Sequence, residues 1–569
     1  MPAAYKTTSW AVGSRRRYRV SREGRHRFPY RAQRRGAPAR LRTGSRPVRG
    51  SGRRRGPGPR RHPATQASKR ERLARLGAGD QRVHRRRRRG PRAVPAARRC
   101  GRRDSWSPGD GGEAGDGGVA TIRSAGWSCA GVTTRTGADC PRPLPAVRVA
   151  GRVLSVNELK IEAEPGEAGL DAGRLARIGR HFQRYVDDGR LAGWLLTVSR
   201  NGKLAHVASY GSRDAEAGLP VTHDTLWRVY SMTKPITSVA AMMLYEEGAF
   251  ELTDPVSKFI PSFGDVRVYD GGSDLKPVTV PATEPVRIWH LLTHTSGLTY
   301  GFHRVHPVDA LYRAAGYEWG TPRGATLEQG CNTWAGIPLL FQPGAEWNYS
   351  VATDVLGRVV EVASGQPLDS FFASRILGPL GMTDTSFHAV GDDASRLAVL
   401  YGVGRDGKAS RLDSAGAAAT RKPTMLCGGH GLLSTAADYN RFLSMLLDFP
   451  GSPAGSLDGT RLLSPRTVRY MGRNHLPGGA DLVTFGRPLF AEAPLRGMGF
   501  GLGLAVMLDP SAAKYDCSPG ELSWGGAAST AFWIDPVEGL TVTFFTQLLP
   551  SSTHPIRPQL RQLVYQALT

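Results

Sequence analysis

The sequence predicts an α+β fold for residues 156–569: an antiparallel β-sheet flanked by N- and C-terminal helices, with a mostly helical lobe inserted at roughly 250–490. Three observations predict it. A helix and a hairpin pattern open this region, a hairpin and a helix pattern close it, and short helical patterns and loops fill the stretch between. Strands contributed by both ends of the chain then form one sheet.

The opening helix is "DAGRLARIGRHFQRYVDDG" (Asp171–Gly189). It places Leu175, Ile178, Phe182 and Tyr185 at helical spacing, with Asp171 as its cap and Gly189 as its stop. "GWLLTVSRNGKLAHVASYG" (Gly193–Gly211) reads as two strands joined at Asn201-Gly202, a pair that tolerates the positive φ of a tight hairpin turn. "VYSMTKPITSVAAMMLYEEG" (Val229–Gly248) is apolar enough for a buried helix, starting near Pro235 and ending at Gly248. "STAFWIDPVEGLTVTFFTQ" (Ser529–Gln547) is a second hairpin turning at Asp535–Gly539. "RPQLRQLVYQAL" (Arg557–Leu568) closes as a helix, with Leu560, Leu563, Val564 and Ala567 on one face. "GFGLGLAV" (Gly499–Val506) lacks the lysine and helix of a phosphate-binding loop and reads as a strand.

The formal net charge of +28 suggests nucleic acid, but its distribution removes most of that inference. Residues 1–150 hold 39 Lys+Arg against 8 Asp+Glu, which leaves 37 against 40 in the rest. Residues 1–155 are rich in Arg, Gly and Pro and too poor in large apolar side chains to offset chain entropy. Two readings stay open for them: a disordered tail, or translated GC-rich sequence ahead of the native start. A nucleic-acid-binding arm is disfavoured, because aromatic residues are sparse among the basic ones. No apolar run has the length of a signal-peptide core or a membrane span, so a cytoplasmic location is expected. The three cysteines of the body, Cys331, Cys427 and Cys517, fit free thiols in a reducing compartment. Oligomeric state is left open.

The lysine in the buried helix at 229–248 needs a chemical reason, because a buried amine is costly unless paired or neutralised. Ser231 and Lys234 stand three apart, on one face of a helix start. Apolar surroundings lower the lysine pKa, and the neutral amine can then take the serine proton. Tyr349, in a turn just before the helical pattern of "FQPGAEWNYSVATDVLGRVVE" (Phe341–Glu361), is a candidate proton shuttle. Gly525 and Gly526, in "SWGGAASTAFWIDP" (Ser523–Pro536), lead into a strand whose backbone a substrate could approach.

At these three points the chain resembles the serine β-lactamase and penicillin-binding-protein superfamily, and it is similar above all to the family VIII carboxylesterases beside the class C β-lactamases. The phrases "LLTHTSGL" (Leu291–Leu298), "PGAEWNYS" (Pro343–Ser350), "ILGPLGMTDTSF" (Ile376–Phe387) and "GGHGLLSTAADYNRF" (Gly428–Phe442) agree, and the likeness runs from Asp171 to Leu568. It implies a β-lactamase/transpeptidase-like fold and hydrolysis of a small-molecule ester through an acyl-enzyme on Ser231, with no metal or cofactor. Lys234 would be the base partner, and Tyr349 the general base and later proton donor. The N–H groups of Ser231 and Ala527 would bind the oxyanion. Trp524-Gly525-Gly526 stands where the β-lactamases carry Lys-Thr-Gly, and Tyr349-Ser350-Val351 lacks their asparagine. Trp524 would then offer an aromatic wall in place of a cation for a β-lactam carboxylate. The alternatives are a β-lactamase, a D-amino-acid peptidase or an acyltransferase with the same acyl-enzyme, and a catalytically silent protein of the same fold.

Other residues read as structural. His290 and His294 have the spacing of two helical zinc ligands, but Leu291 replaces the glutamate of that motif. His430 reads as a loop histidine. Asp354, Glu361 and Asp438 read as solvated or locally paired, and Trp347 as either core or pocket wall.

Overall fold

A computed structural model describes residues 159–569 except 319–320, 390, 414–416, 488–491 and 493. The expected tail over 1–155 lies outside the described residues. The first helix, α1 (Ala172–Asp187), begins at Asp171, whose carboxylate accepts the Arg174 N–H at 2.8 Å, and it buries the four predicted apolar residues. Strands β1 (Gly193–Arg200) and β2 (Lys203–Asp214) follow, turning where Asn201 and Gly202 both take positive φ, and β3 (Leu219–Pro220) pairs with β2. Helix α2 (Thr233–Glu246) ends at Gly248 (φ 74°), where the Gly248 and Ala249 N–H groups return to the carbonyls of Tyr245 and Leu244. Next come α3 (Ile288–Leu292), α4 (Ala352–Ser364) and α5 (Ala436–Leu446). The chain returns to the sheet with β4 (Met498–Phe500), β5 (Ala505–Met507), β6 (Leu522–Gly525), β7 (Ala531–Asp535) and β8 (Leu540–Phe545), and α6 (Ile556–Tyr565) closes it.

The eight strands form one antiparallel sheet in the order β4-β5-β6-β7-β8-β1-β2-β3. The central pairing of β1 with β8 joins the two ends of the region, with Leu196 opposite Phe544 and Val198 opposite Val542. Both faces are covered. Trp194, Leu196, Val198, Trp533 and Phe544 pack on α1 and α6, while Leu195, Phe532, Ile534 and Phe545 face the lobe. Burial on both sides explains why β1 reads as a run of apolar residues and not as an alternation.

Two details depart from the expected elements. The lobe is not helical throughout: Arg267–Gly272 and Pro277–Pro281 form a hairpin, because Val268, Val278 and Val280 flank a Gly- and Ser-containing loop. "GFGLGLAV" is a hairpin and not one strand. Gly503 (φ 94°) turns it between β4 and β5, and no side chain fits there, since a Cβ would lie 2.0 Å from Ser238 Oγ.

Candidate active site

Ser231 lies on a 3₁₀ turn, Tyr230–Met232, that runs directly into α2. Tyr230 takes a positive φ of 45°, a strained value for a residue with a Cβ. Neighbouring backbone over-determines that turn. The Val229 N–H donates to the Leu432 carbonyl at 3.1 Å, Tyr439 OH to the Met232 carbonyl at 2.9 Å, and the Leu432 N–H to Thr233 Oγ1 at 3.2 Å. The strain therefore persists, and it sets the serine at the rim of a cavity with its side chain nearly buried.

The structure brings together the three residues expected to carry the chemistry. Tyr349 OH donates to Ser231 Oγ at 2.5 Å, and Lys234 Nζ lies 3.2 Å from the same oxygen. Lys234 is buried, donates to the Gly429 carbonyl at 2.7 Å and sits 4.6 Å above the Tyr349 ring. Burial lowers its pKa to about 8, against the opposing pull of Asp354 and Glu492. Tyr349 is held well above the ordinary tyrosine value, first by burial and then by Glu492, with the hydrogen bond to Ser231 working the other way. Its carbonyl accepts from His303 Nε2 at 2.8 Å, which places the imidazole proton on that nitrogen. His294 packs edge-on against the Tyr349 ring, and burial followed by the charge of Lys234 keeps it neutral.

Trp524 does not wall the cavity. Its ring is buried behind Tyr349, in T-shaped contact at 5.3 Å, because β6 passes under the tyrosine and turns the indole into the core between Tyr349 and Phe500. Trp347 likewise stacks behind Tyr349 as core. Gly525 and Gly526 have no room for a side chain. A Cβ on Gly525 would stand 2.3 Å from Arg557 Nη2, and one on Gly526 would stand 2.4 Å from the Val229 carbonyl oxygen. These glycines admit the protein's own arginine and the Val229 backbone that leads to Ser231. Ala527, just beyond them, does line the cavity beside Ser231, and the turn around it is closed by bonds from Gly526 N–H to Thr530 and from Ser529 N–H to Gly526.

The cavity measures about 610 Å³. Tyr300, Phe302, Tyr317 and Trp334 give it aromatic walls, Glu318, Asp354 and Glu492 bring carboxylates, and no lysine or arginine lines it among the described residues. Glu492 is paired with Arg557 at 2.6 Å, and Glu318 with Arg304. Asp354 is a correction to the sequence reading: it is 1 % exposed and accepts the Gly429 N–H at 2.8 Å, 75 residues away in the chain. Glu361 pairs locally, with Arg358 and the Leu368 N–H, but Asp438 is a second correction: it is buried and accepts from the Asp384 N–H at 2.9 Å and from Thr385 Oγ1 at 2.8 Å, 54 and 53 residues away in the chain. The zinc-like spacing of His290 and His294 is broken by geometry. Helix α3 ends at Leu292, His294 takes a positive φ of 56°, and the two rings are engaged by the Arg287 N–H and by Ser350 Oγ.

Arg557 and Asp354 escaped sequence reasoning. Arg557 donates to the carbonyls of Gly526 and Thr530 at 3.1 and 3.0 Å and so braces the turn that carries Ala527. Its only sequence signal is a charge in the first turn of an otherwise half-buried helix. Asp354 had a clearer one, since it lies one helical turn past Val351 on the face that buries Val355.

Comparison with known proteins agrees with this geometry. The Beta-lactamase family profile matches residues 178–566. The chain is 33 % identical over 420 residues to Esterase EstB of Burkholderia gladioli, covering 71 % of this chain and 98 % of that one. It is 38 % identical over 377 residues to Protein Rv1367c of Mycobacterium tuberculosis, covering 65 % and 89 % of the two chains. Among solved structures it is similar to EstCE1, described as a hydrolase with promiscuous acyltransferase activity, with a TM-score of 0.58, 27 % identity and coverage of 69 % of this chain and 99 % of that one. A sheet built from both ends of the chain, with a serine, a lysine and a tyrosine meeting beneath its lobe, has the same explanation as the profile match: this chain belongs to the β-lactamase family of serine hydrolases, on its esterase-like side.

Proposed function

We propose that the protein hydrolyses uncharged carboxylic esters through an acyl-enzyme on Ser231. The observation that carries this reading is the hydrogen-bonded trio of Tyr349, Ser231 and Lys234 at an apolar cavity. Tyr349 holds its proton and points it at Ser231 Oγ, so Lys234 is the better base. The neutral amine takes the Ser231 proton as Oγ attacks the ester carbonyl, and the N–H groups of Ser231 and Ala527 receive the oxyanion. On collapse, Tyr349 gives its proton to the departing alkoxide and is reprotonated by the Lys234 ammonium. Water then releases the acid by the reverse relay.

The lining favours a substrate without a carboxylate. Two of its three acidic side chains, Glu492 and Glu318, are paired with arginines, and no lysine or arginine among the described lining residues is available to bind an anion. A β-lactam or a carboxylate-bearing ester forgoes one charge-assisted hydrogen bond there, about 1.5–3 kcal/mol or one to two orders of magnitude in binding. The aromatic walls suit a bulky neutral acyl or alkoxy group. The test is kcat/KM for a p-nitrophenyl butyrate-type ester against a chromogenic cephalosporin, with intact mass to locate the acyl group. A cephalosporin value at or above the ester value overturns this reading in favour of a β-lactamase.

Transfer of the acyl group to an alcohol is a second reading, favoured by a cavity large enough for acyl donor and acceptor and by the promiscuous acyltransferase activity of the similar hydrolase EstCE1. Product partition in added alcohol distinguishes it. No helix among the described residues is long and apolar enough to cross a membrane. The thiols of Cys331, Cys427 and Cys517 are unpaired, which supports a reducing, cytoplasmic setting.

A further inference from the structure

We infer that Asp354, Cys427 and His430 form a binding site for a borderline-soft divalent cation of the zinc type, on the wall between the substrate cavity and a smaller one behind it. Asp354 and His430 line the first cavity, and Cys427 and His430 line the second, of about 230 Å³. Among the described residues they are the one group of three potential ligands whose donor atoms all lie within 4.8 Å of one another. Carboxylate, thiolate and imidazole are the donor set that such a cation prefers, and bonds of about 2.0–2.3 Å need only a small contraction of that triangle.

A second observation points to a missing positive partner. Asp354 is 1 % exposed, yet its Oδ2 has no hydrogen-bond donor among the described residues, while Oδ1 takes the Gly429 N–H. An unsatisfied buried carboxylate oxygen is costly. His430 Nδ1 stands 3.7 Å from Oδ1, beyond a hydrogen bond and within reach of a shared ion. Cys427 Sγ has only a long contact of 3.7 Å to the Met425 carbonyl. Gly429 lets the loop close on the carboxylate, since a Cβ there would lie 2.7 Å from Oδ2. Binding exchanges the thiol proton for the metal bond and leaves a fourth position open toward the cavity.

The site is separate from the acyl-transfer residues but joined to them through one peptide. The Gly429 carbonyl that holds Lys234 Nζ belongs to the loop bearing Cys427 and His430. A dication fixed there opposes proton uptake by Lys234, so above about pH 8, where the amine is already neutral, occupancy is expected to slow ester turnover. Zinc inhibition of the esterase would thus report on the site, although the site can be tested without any activity.

The test uses the purified full chain and cobalt(II), then zinc(II). Because residues 1–150 contain further cysteines and histidines, each measurement is a comparison with variants in the same chain. The wild type should take up one cobalt equivalent more than Cys427→Ser and show a thiolate-to-cobalt charge-transfer absorption that the variant lacks. His430→Ala, a change at a partly exposed ring, should weaken zinc at the site by at least about tenfold and remove the zinc-dependent rise in melting temperature. Equal stoichiometry and absorption in wild type and Cys427→Ser overturn the proposal. If Cys427→Ser does not fold, undiminished zinc affinity in His430→Ala overturns it.

Discussion

Ser231 has two neighbours able to exchange a proton with it, and their burial drives them apart. Burial favours the neutral form of each, which in the proposed mechanism suits the lysine to act as base and the tyrosine as acid. Ser231→Ala should abolish ester hydrolysis, and Lys234→Ala and Tyr349→Phe should each lower kcat by about two to four orders of magnitude. Near-wild-type turnover in Ser231→Ala would sink the mechanism. With the neutral amine as the proposed base, kcat/KM should rise with pH through about 8. The same shift has a sign for stability. Between about 8 and the ordinary lysine value of 10.5 the unfolded chain carries a proton that the folded site does not, so this site's contribution to stability grows with pH. Below about 8 the buried ammonium is a standing cost. Lys234→Met should therefore melt no lower than the wild type at pH 7 while losing activity; a melting temperature several degrees lower would show that the Gly429 hydrogen bond outweighs desolvation. Ser231 and Lys234 were legible in the sequence because they are local, three apart on one turn. The Asp354–Gly429 contact was not, since it depends on how α4 meets a loop far away in the chain.

Helices and hairpins marked by their own ends were readable from residues alone: Asp171 and Gly189 around α1, Asn201-Gly202 between β1 and β2, Gly248 after α2. The hairpin at Arg267–Pro281 was not, because its strands are short, partly exposed and carry no Asn-Gly turn. Trp524-Gly525-Gly526 was expected to lead into a strand but ends β6 instead, and a Cβ at either glycine is excluded by the Arg557 guanidinium or by the Val229 carbonyl. Gly526→Ala should push the Val229–Ser231 segment off the strand, with a loss of folding stability of about 1–3 kcal/mol, the scale of overpacking a closed core. Thermal melting and burst titration of the serine would measure both effects. Arg557→Ala should do less to folding than to turnover, since it frees the Gly526 and Thr530 carbonyls that brace Ala527 and strands Glu492 at the cavity wall. A variant with wild-type kcat would remove Arg557 from the site.

At the scale of the molecule, all the excess positive charge lies in residues 1–150, ahead of a near-neutral remainder. Deleting residues 1–150 should leave the melting transition and ester turnover unchanged; loss of a cooperative transition would show that they pack on the rest. The sheet has a consequence for synthesis. Partner strands β1 and β8 meet at Leu196 and Phe544, so a ribosome must add more than three hundred residues after β1 before its central neighbour exists. At about 5–20 residues per second this lasts on the order of tens of seconds. Throughout that interval the nascent chain displays an unpaired strand edge flanked by Trp194, Leu195 and Leu196, the kind of edge that recruits other chains. Yield in a foreign host should thus depend on holdase chaperones and slow growth more than on the stability of the finished fold.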